Sequence, residues 1–143
     1  MQDTGLIPSV IDLPKYTDPR GNLSVIEGND TVPFEIRRVF YLYDVPADSE
    51  RGGHAHHDAI QLMVAVAGSF DVVLDNGAEQ RRYTLNRPYR GLIIPPGYWR
   101  TMDNFSAGSV CMVLTNIVYD EADYIRDYDE FRVTVVPPRP FND

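Results

Sequence analysis

The chain has 143 residues, 43% of them hydrophobic, which is enough for one domain whose core needs neither disulfides nor a structural metal. Thirteen basic residues against twenty-one acidic ones leave a net charge of −8, which argues against a nucleic-acid partner. No apolar run approaches the ~20 residues of a membrane-spanning helix and no signal-peptide pattern opens the chain, so we expect a cytoplasmic protein with no membrane partner.

Short apolar segments separated by turn residues predict an all-β sandwich or barrel. Residues 28–33 and 46–53 have the composition of loops, and Asp75-Asn76-Gly77 predicts a tight hairpin because Asn-Gly accepts positive φ angles. Cys111 lies in an apolar run and is expected in the core rather than as a nucleophile. The clearest strands are predicted at residues 23–27, 37–43, 60–67, 70–74, 82–85, 91–94 and 110–119.

The segment 120–131 departs from the β pattern. Asp120 can cap a helix there, and we expect one short C-terminal helix that packs on the sandwich without a chemical role. The proline-rich tail 136–140 cannot continue a strand and is expected to be loosely held. The apolar residues at helical spacing are Tyr124, Ile125, Tyr128 and Phe131.

All three histidines of the chain lie in the segment Gly53-His54-Ala55-His56-His57. Side chains alternate along an extended segment, so His54 and His56 point to the same side. Such a pair is typical of a metal site, although an isolated pair can also serve only to hydrogen-bond the backbone.

Residues around this pair follow the two-part cupin signature in its turns but not in its metal ligands. Gln61 stands where the signature has a glutamate, and Arg100 stands where it has a third histidine. Arginine stays protonated and only donates hydrogen bonds, so it would repel a cation. We therefore expect no metal and no other cofactor at this site, and a positive charge available to an anionic group. Turn positions of the signature are kept at Gly68, Pro95, Gly97 and Asn104.

Several segments in this order and spacing resemble the sugar-nucleotide 3,4-ketoisomerases. They are DPRGNL (18–23), PFEIRRV (33–39), RGGHAH (51–56), WRTM (99–102) and YDEADYIRDY (119–128). The resemblance implies a single cupin domain over residues 1–143 with its core at about 15–131. It also implies a jelly roll (double-stranded β-helix), a homodimer, and no metal or organic cofactor. The implied reaction moves the keto group of dTDP-4-keto-6-deoxyglucose from C4 to C3 through an enediol, in the biosynthesis of dideoxy amino sugars.

The predicted catalytic residues are His54 and His56. Imidazole, with an ordinary pKa near ~6.5, accepts and donates protons near neutral pH, so His54 is assigned as the main acid/base. His56 either orients His54 or carries a second proton, which leaves the identity of the principal base open. Arg100 is expected to stabilise the oxyanion and to keep His54 neutral, because a nearby cation lowers an imidazole pKa.

The remaining predicted substrate-binding residues are Arg20, Arg38, Arg51 and Tyr41, at positions that line the pocket in similar proteins. Arg38 shares one strand face with Phe40, and Tyr41 lies on the other, so the sequence leaves open which face is inward. Similar proteins usually have two tyrosines at 40 and 41, and an inward position 40 would lack that hydroxyl here. For Arg37, Arg81 and Arg82 we expect surface salt bridges.

Alternative functions are a dTDP-sugar 3,5-epimerase-like enzyme and a noncatalytic sugar-nucleotide-binding cupin. A metal-dependent oxygenase would need a carboxylate from Asp58 or Glu79, both outside the motif spacing. The nucleotide, the residues that stack on its base and the C4 configuration of the product stay open. Similar enzymes that make galacto products have arginine at the position of Arg20 and histidine at the position of Arg100. Similar enzymes that make gluco products have arginine at the position of Arg100. Arginine at both positions favours the gluco product.

Overall fold

The computed structural model describes residues 1–142, whose strands form two antiparallel five-stranded sheets and one separate hairpin. One sheet has the strand order β1-β9-β6-β11-β4, the other has the order β12-β5-β10-β7-β8, and β2 pairs with β3. The strands are β1 (Ser9–Asp12), β2 (Lys15–Asp18), β3 (Gly21–Ser24), β4 (Arg38–Leu42), β5 (Arg51–His56), β6 (Gln61–Ala67), β7 (Phe70–Asp75), β8 (Gln80–Leu85), β9 (Arg90–Ile94), β10 (Trp99–Asp103), β11 (Val110–Thr115) and β12 (Tyr124–Ile125). A single α-helix, α1 (Tyr128–Thr134), follows.

The main core lies between the two sheets, because alternate side chains of strands in both sheets point inward. Met63 and Val113 come from one sheet, and Leu74 and Met102 come from the other. A second apolar cluster covers the outer face of the first sheet, and a third joins Phe131 of α1 to Ala55 of β5. This arrangement confirms the predicted all-β cupin jelly roll with one short C-terminal helix.

Each predicted strand segment contains or overlaps an observed strand, but two of them end early. β3 stops at Ser24 and β11 stops at Thr115, whereas the apolar pattern continues beyond both. β5 begins inside the predicted loop 46–53, because Arg51 and Gly52 still pair with β10, although Gly52 has a positive φ angle, and Gly53 lies at a register shift between the paired residues. A Cβ atom on Gly52 would lie 2.9 Å from the carbonyl oxygen of Arg100, so glycine is needed for this close approach.

The hairpin between β7 and β8 is longer than the predicted tight turn. Asp75 pairs with Gln80, so the connection comprises residues 76–79, and only Gly77 in it has a positive φ. The side-chain oxygen of Asn76 accepts hydrogen bonds from the backbone N–H groups of Ala78 and Glu79, which stabilises the wider loop.

The C-terminal helix exists, but its predicted bounds of 120–131 are wrong. Asp120 caps only a short 3₁₀ turn at Glu121–Asp123, and the next two residues form β12 against the edge of β5. The helix begins only at Tyr128, where the side chain of Asp127 accepts a hydrogen bond from the backbone N–H of Glu130. Backbone pairing with a distant strand has overridden the helical spacing of the apolar residues.

The prediction of a loosely held tail is also wrong. The hydroxyl of Tyr98 donates to the carbonyl of Pro140, and the side-chain amide of Asn76 donates to the carbonyl of Arg139 at 2.6 Å. Phe141 is buried in the main core. These contacts attach the tail to the sandwich although it adds no strand. Within residues 1–142, no helix has both the length and the hydrophobicity to cross a membrane.

Candidate active site

Both sheets contribute polar side chains to one end of the space between them. On one sheet, His54 of β5 is the register partner of Arg100 on β10. On the other sheet, Thr115 of β11 is the register partner of both Arg38 on β4 and Gln61 on β6. The Nη1 atom of Arg100 donates to the side-chain oxygen of Gln61 at 2.5 Å, which links the two sheets. The structure therefore joins residues from five strands into one polar site.

The two predicted catalytic histidines lie side by side, with ring centroids 4.9 Å apart and ring planes nearly perpendicular. The Nδ1 atom of His56 lies 2.8 Å from the carboxylate oxygen Oδ2 of Asp123. Because a carboxylate only accepts, the proton of the imidazole sits on Nδ1, and Nε2 keeps its lone pair. That Nε2 is buried and has no hydrogen-bond partner within residues 1–142. His56 is thus arranged as a neutral acceptor that faces the site.

Burial and neighbouring charge keep both histidines neutral. Burial is the largest cause that lowers the pKa of His54 to about 2, and the adjacent Arg100 cation lowers it further. Burial likewise lowers the pKa of His56 to about 4, although its hydrogen bond to Asp123 acts in the opposite direction. The predicted effect of Arg100 on His54 has the expected sign, with desolvation as the larger cause.

Arg100 is a fully buried cation whose hydrogen bonds in the described chain go to neutral oxygens. Besides Gln61, it donates from Nη2 to the backbone carbonyl of Tyr98 at 3.1 Å. Burial lowers its pKa to about 10, which leaves it protonated at neutral pH. Burying a guanidinium without a carboxylate partner is costly, and an anionic group bound beside it would offset that cost.

Several further polar atoms at this site are buried without a hydrogen-bond partner in residues 1–142. Such atoms are rare in folded proteins, and at a concave site they mark positions where a ligand or water completes the bonding. Their clustering across both sheets points to a polar ligand between the sheets. They are Nε of Arg38, Nε2 of His56, Nε2 of Gln61, Nε of Arg100 and Oγ1 of Thr115.

Arg38 is the one other predicted substrate-binding residue that the structure brings to this site. Its guanidinium lies 4.9 Å from the ring of Phe40, and its Nη2 lies 3.5 Å from the hydroxyl of Tyr124. The face of β4 that carries Arg38 and Phe40 is therefore inward. At position 40, the lining side chain has no hydroxyl.

The structure places the other three predicted substrate-binding residues away from the histidines of their own chain. Arg20 lies at the turn of the β2–β3 hairpin, where its guanidinium is 90% exposed and pairs with Asp18 at 2.7 Å. Tyr41 is 61% exposed on the outer face of β4, with its ring 5.7 Å from that of Tyr43. Arg51 is exposed at the start of β5.

Some of the surface and rim residues behave as predicted. Arg82 forms ion pairs with Asp71 at 2.9 Å and with Asp103 at 2.7 Å. Trp99 packs edge-on against Tyr128 of α1, with centroids 5.3 Å apart. Tyr98, its neighbour in the chain, is fully buried, and its hydroxyl donates to the carbonyl of Pro140 in the C-terminal tail. Both aromatics therefore serve packing.

Three residues of the site were not identified as functional from the sequence, namely Thr115, Asp123 and Tyr124. Asp123 and Tyr124 fall in the segment expected to be a helix with no chemical role. They also fall in the segment 119–128 that carries part of the family resemblance, and this was the available signal. The sequence around Thr115 gives no indication of a functional role. Thr115 lies at the site only because its strand pairs with those of Arg38 and Gln61.

The donor set does not suit a divalent metal. Among residues 1–142, no three His, Cys, Asp or Glu side chains are grouped as ligands. Asp58 and Glu79, the carboxylates considered as substitutes, are both exposed. The guanidinium of Arg100 stands next to the histidines, where it would repel a cation.

Comparisons with known proteins agree with this geometry. The family model FdtA, described as "WxcM-like, C-terminal", matches residues 8–136. A TDP-4-oxo-6-deoxy-alpha-D-glucose-3,4-oxoisomerase from Aneurinibacillus thermoaerophilus is 44% identical over 123 residues, which are 86% of this chain and 88% of the relative.

Solved structures are similar over nearly the same span. A histidine-to-asparagine variant of the 3,4-ketoisomerase QdtA from Thermoanaerobacterium thermosaccharolyticum, in complex with TDP-4-keto-6-deoxyglucose, has a TM-score of 0.88 and 37% identity. That match covers 90% of this chain and 93% of the other. The TDP-quinovose 3,4-ketoisomerase WlaRB from Campylobacter jejuni has a TM-score of 0.85 and 42% identity, covering 88% of this chain and 97% of the other.

Proposed function

The chain belongs to the FdtA family of sugar-nucleotide 3,4-ketoisomerases, and we propose that it moves the keto group of dTDP-4-keto-6-deoxyglucose from C4 to C3. The observation that carries this function is the neutral pair His54 and His56 beside the buried cation of Arg100. Ketone migration requires a base for a carbon-bound proton and a positive charge for the oxygen that becomes an enediolate. Both are present within one site.

His54 acts as the main acid/base. It removes the proton from C3 and releases it to solvent as the enediol forms, and a solvent-derived proton is then added at C4, so that the sugar neither gains nor loses atoms. Acid/base assistance of this kind contributes roughly 10²–10⁴-fold in rate. The negative charge of the bound substrate and of the enediolate counteracts burial and raises the proton affinity of His54 when the chemistry occurs.

Arg100 stabilises the enediolate oxygen. It is already desolvated and positioned by Gln61, so little reorganisation is needed as negative charge develops. His56, held by Asp123, presents Nε2 as a second proton acceptor or as a hydrogen-bond partner for a sugar hydroxyl. Arg38, Gln61 and Thr115 supply the opposite wall, and their unpaired polar atoms suit the hydroxyl and phosphate oxygens of a sugar nucleotide.

The reaction as proposed needs no metal and no organic cofactor. Gln61 and Arg100 stand at the positions where the cupin signature has metal ligands, and they already bond to each other. Stoichiometric iron in the purified enzyme, together with loss of activity on chelation, would overturn this part of the proposal.

We also propose that the enzyme is a homodimer. The outer face of β4 exposes Val39, Tyr41 and Tyr43 in a row, an apolar surface of the kind that protein interfaces cover. The β2–β3 hairpin is exposed along its whole length. In a dimer, Arg20 at the tip of this hairpin would contact substrate in the active site of the partner subunit rather than in that of its own chain. Light scattering at increasing concentration tests the dimer, and Tyr41→Asp is expected to shift it toward monomer.

Two finer properties follow from the residues at hand. The single Cys111 is buried and free, which needs no oxidising compartment and supports a cytoplasmic location. For the product we propose the gluco configuration at C4, because similar enzymes with gluco products have arginine at the position of Arg100. The 42% identity to a TDP-quinovose enzyme also supports this configuration.

A 3,5-epimerase-like activity is the second candidate, because the buried His56–Asp123 pair has the His-Asp form typical of those enzymes. The deciding experiment is incubation with freshly prepared TDP-4-keto-6-deoxyglucose in deuterium oxide, followed by NMR. The expected result is a 3-keto product with deuterium at C4, and the same reaction in ordinary water is expected to give a product with the large H4–H5 coupling of the gluco configuration. Deuterium at C5 without ketone migration would instead identify an epimerase, and binding without any turnover would identify a noncatalytic binding protein.

A further inference from the structure

We propose that Tyr124 is a further catalytic residue, whose hydroxyl moves the oxygen-bound proton between O3 and O4 of the sugar. The inference rests on the proposed ketone migration and extends it to a proton that the histidines do not carry. Tyr124 lies on β12 and is the register partner of His56, so strand pairing holds it beside the site.

The aromatic ring of Tyr124 packs against both histidines. Its centroid lies 4.5 Å from that of His56 and 5.0 Å from that of His54. Its hydroxyl lies 3.5 Å from Nη2 of Arg38, which belongs to the opposite sheet. The hydroxyl therefore sits between the sheets, on the side of the histidines where the unpaired atoms of Arg38 and His56 are found.

The chemistry of ketone migration requires two kinds of proton transfer. His54 takes the proton from C3, and C4 later gains a proton that comes from solvent. In the same interval O4, which begins as a carbonyl oxygen, must gain a proton, and O3, which begins as a hydroxyl, must lose one. Tyr124 gives its phenolic proton to O4 and then takes the proton of O3, so that the phenol is restored and no atom is gained or lost. The imidazole of His56 is held in place by its hydrogen bond to Asp123. It is therefore less suited to this exchange than a hydroxyl group that can rotate.

Two guanidinium groups lie close to Tyr124. The guanidinium of Arg38 is next to the hydroxyl, and the guanidinium of Arg126 lies 4.3 Å from the ring centroid. Neighbouring aromatic side chains do not offer the same group. Phe40 has no hydroxyl, and the exposed Tyr119 bonds through its hydroxyl to Glu121 at 2.6 Å.

A purely structural role would consist of packing the ring against the imidazoles. Tyr124→Phe separates the two roles, because it removes one oxygen atom and keeps the ring. Tyr119→Phe is the matched control, since its ring lies 5.8 Å from that of Tyr124 and its hydroxyl faces an exposed carboxylate. Each variant is compared with the unmodified enzyme for melting temperature and for TDP affinity.

The decisive measurement is the reaction in deuterium oxide, with NMR used to follow both deuterium entry at C3 of the 4-keto sugar and formation of the 3-keto product. Tyr124→Phe is expected to lower product formation by roughly 10²-fold while C3 exchange falls much less, because His54 is intact. Tyr119→Phe is expected to match the unmodified enzyme in both rates. Equal loss of exchange and product formation in Tyr124→Phe, or no loss of either, would overturn the role given to Tyr124. Absence of product from the unmodified enzyme would overturn the proposed function itself and this inference with it.

Discussion

His56 and Asp123 form a buried hydrogen-bonded pair, 2.8 Å from Nδ1 to Oδ2, although they stand 67 positions apart in the chain. Their side chains are 1% and 3% exposed. The other carboxylate oxygen accepts the backbone N–H of Asp58 at 2.6 Å, which fixes the carboxylate in place. The pair determines which nitrogen of His56 carries the proton, and it leaves Nε2 free to face the substrate.

Asp123→Asn tests the importance of this pair. An amide has nearly the same shape, but it lacks the charge and can present an N–H to the imidazole, which favours the wrong tautomer of His56. We expect the turnover number to fall by roughly 10²–10⁴-fold with little change in TDP affinity. Asp120→Asn, in the exposed cap of the 3₁₀ turn, is the control and should retain activity. Unchanged turnover in Asp123→Asn would show that tautomer control is not needed.

His54→Asn tests the principal acid/base. Nucleotide-sugar affinity is expected to stay within a few fold of that of the unmodified enzyme, while ketone migration is lost, a decrease of roughly 10²–10⁴-fold or more. Deuterium exchange at C3 should disappear as well, which distinguishes this variant from Tyr124→Phe. His57→Asn, one residue beyond β5, is the matched control. Full isomerase activity of His54→Asn would mean that His56 or another group is the base.

Gln61→Glu tests the uncompensated charge of Arg100. A carboxylate at this position would lie within hydrogen-bonding distance of the guanidinium, as the amide oxygen does now at 2.5 Å. It would neutralise the cation and reduce stabilisation of the enediolate, and we expect turnover to fall by roughly 10²-fold. Metal analysis by mass spectrometry should detect no stoichiometric ion, because the guanidinium of Arg100 still stands in place of the third imidazole and has no lone pair to coordinate a metal.

Gln2→Glu, at an exposed position near the N-terminus, controls for the added negative charge. If Gln61→Glu gained a stoichiometric metal ion, Arg100 would not be the barrier to metal binding. If it kept full turnover, the charge of Arg100 would not be needed for the enediolate.

The lowered histidine pKa values predict how stability depends on pH. In the folded protein the pKa values are about 2 for His54 and about 4 for His56, both below the unfolded value of roughly 6.5. Between these limits the unfolded chain binds protons that the folded chain does not. The free energy of unfolding should therefore decrease as pH falls from roughly 6.5 toward 4, by at most about 1.4 kcal/mol per pH unit for each histidine.

Urea denaturation at several pH values measures this slope. His54→Asn removes one of the two groups and should give a shallower dependence than the unmodified protein, with His57→Asn as the control for loss of a histidine elsewhere. Identical slopes for His54→Asn and the unmodified protein would contradict a buried neutral imidazole at position 54.

Local patterns predicted β4, whose side chains alternate between half-buried and exposed, and β6, whose continuous apolar run is buried on both faces along most of its length. They failed where a distant partner decided the outcome. The two glycines of β5 are typical of a loop, yet Gly52 pairs with β10 because the absence of a Cβ atom lets the two backbones approach closely. The apolar residues of 120–131 have helical spacing, yet the free edge of β5 accepts Tyr124 and Ile125 as a strand.

The sequence by itself determined the chemical inventory of the site, because residue types carry their own chemistry: two histidines on one strand face, arginine at position 100 and an amide at position 61. Only the tertiary structure decided which of these side chains come into contact. It brought Asp123 to His56 and Tyr124 to Arg38, and it left Arg20 and Tyr41 outside the pocket of their own chain. The physical reason is that these contacts depend on the pairing and register of strands that are far apart in the chain. The local spacing of residues does not specify that pairing.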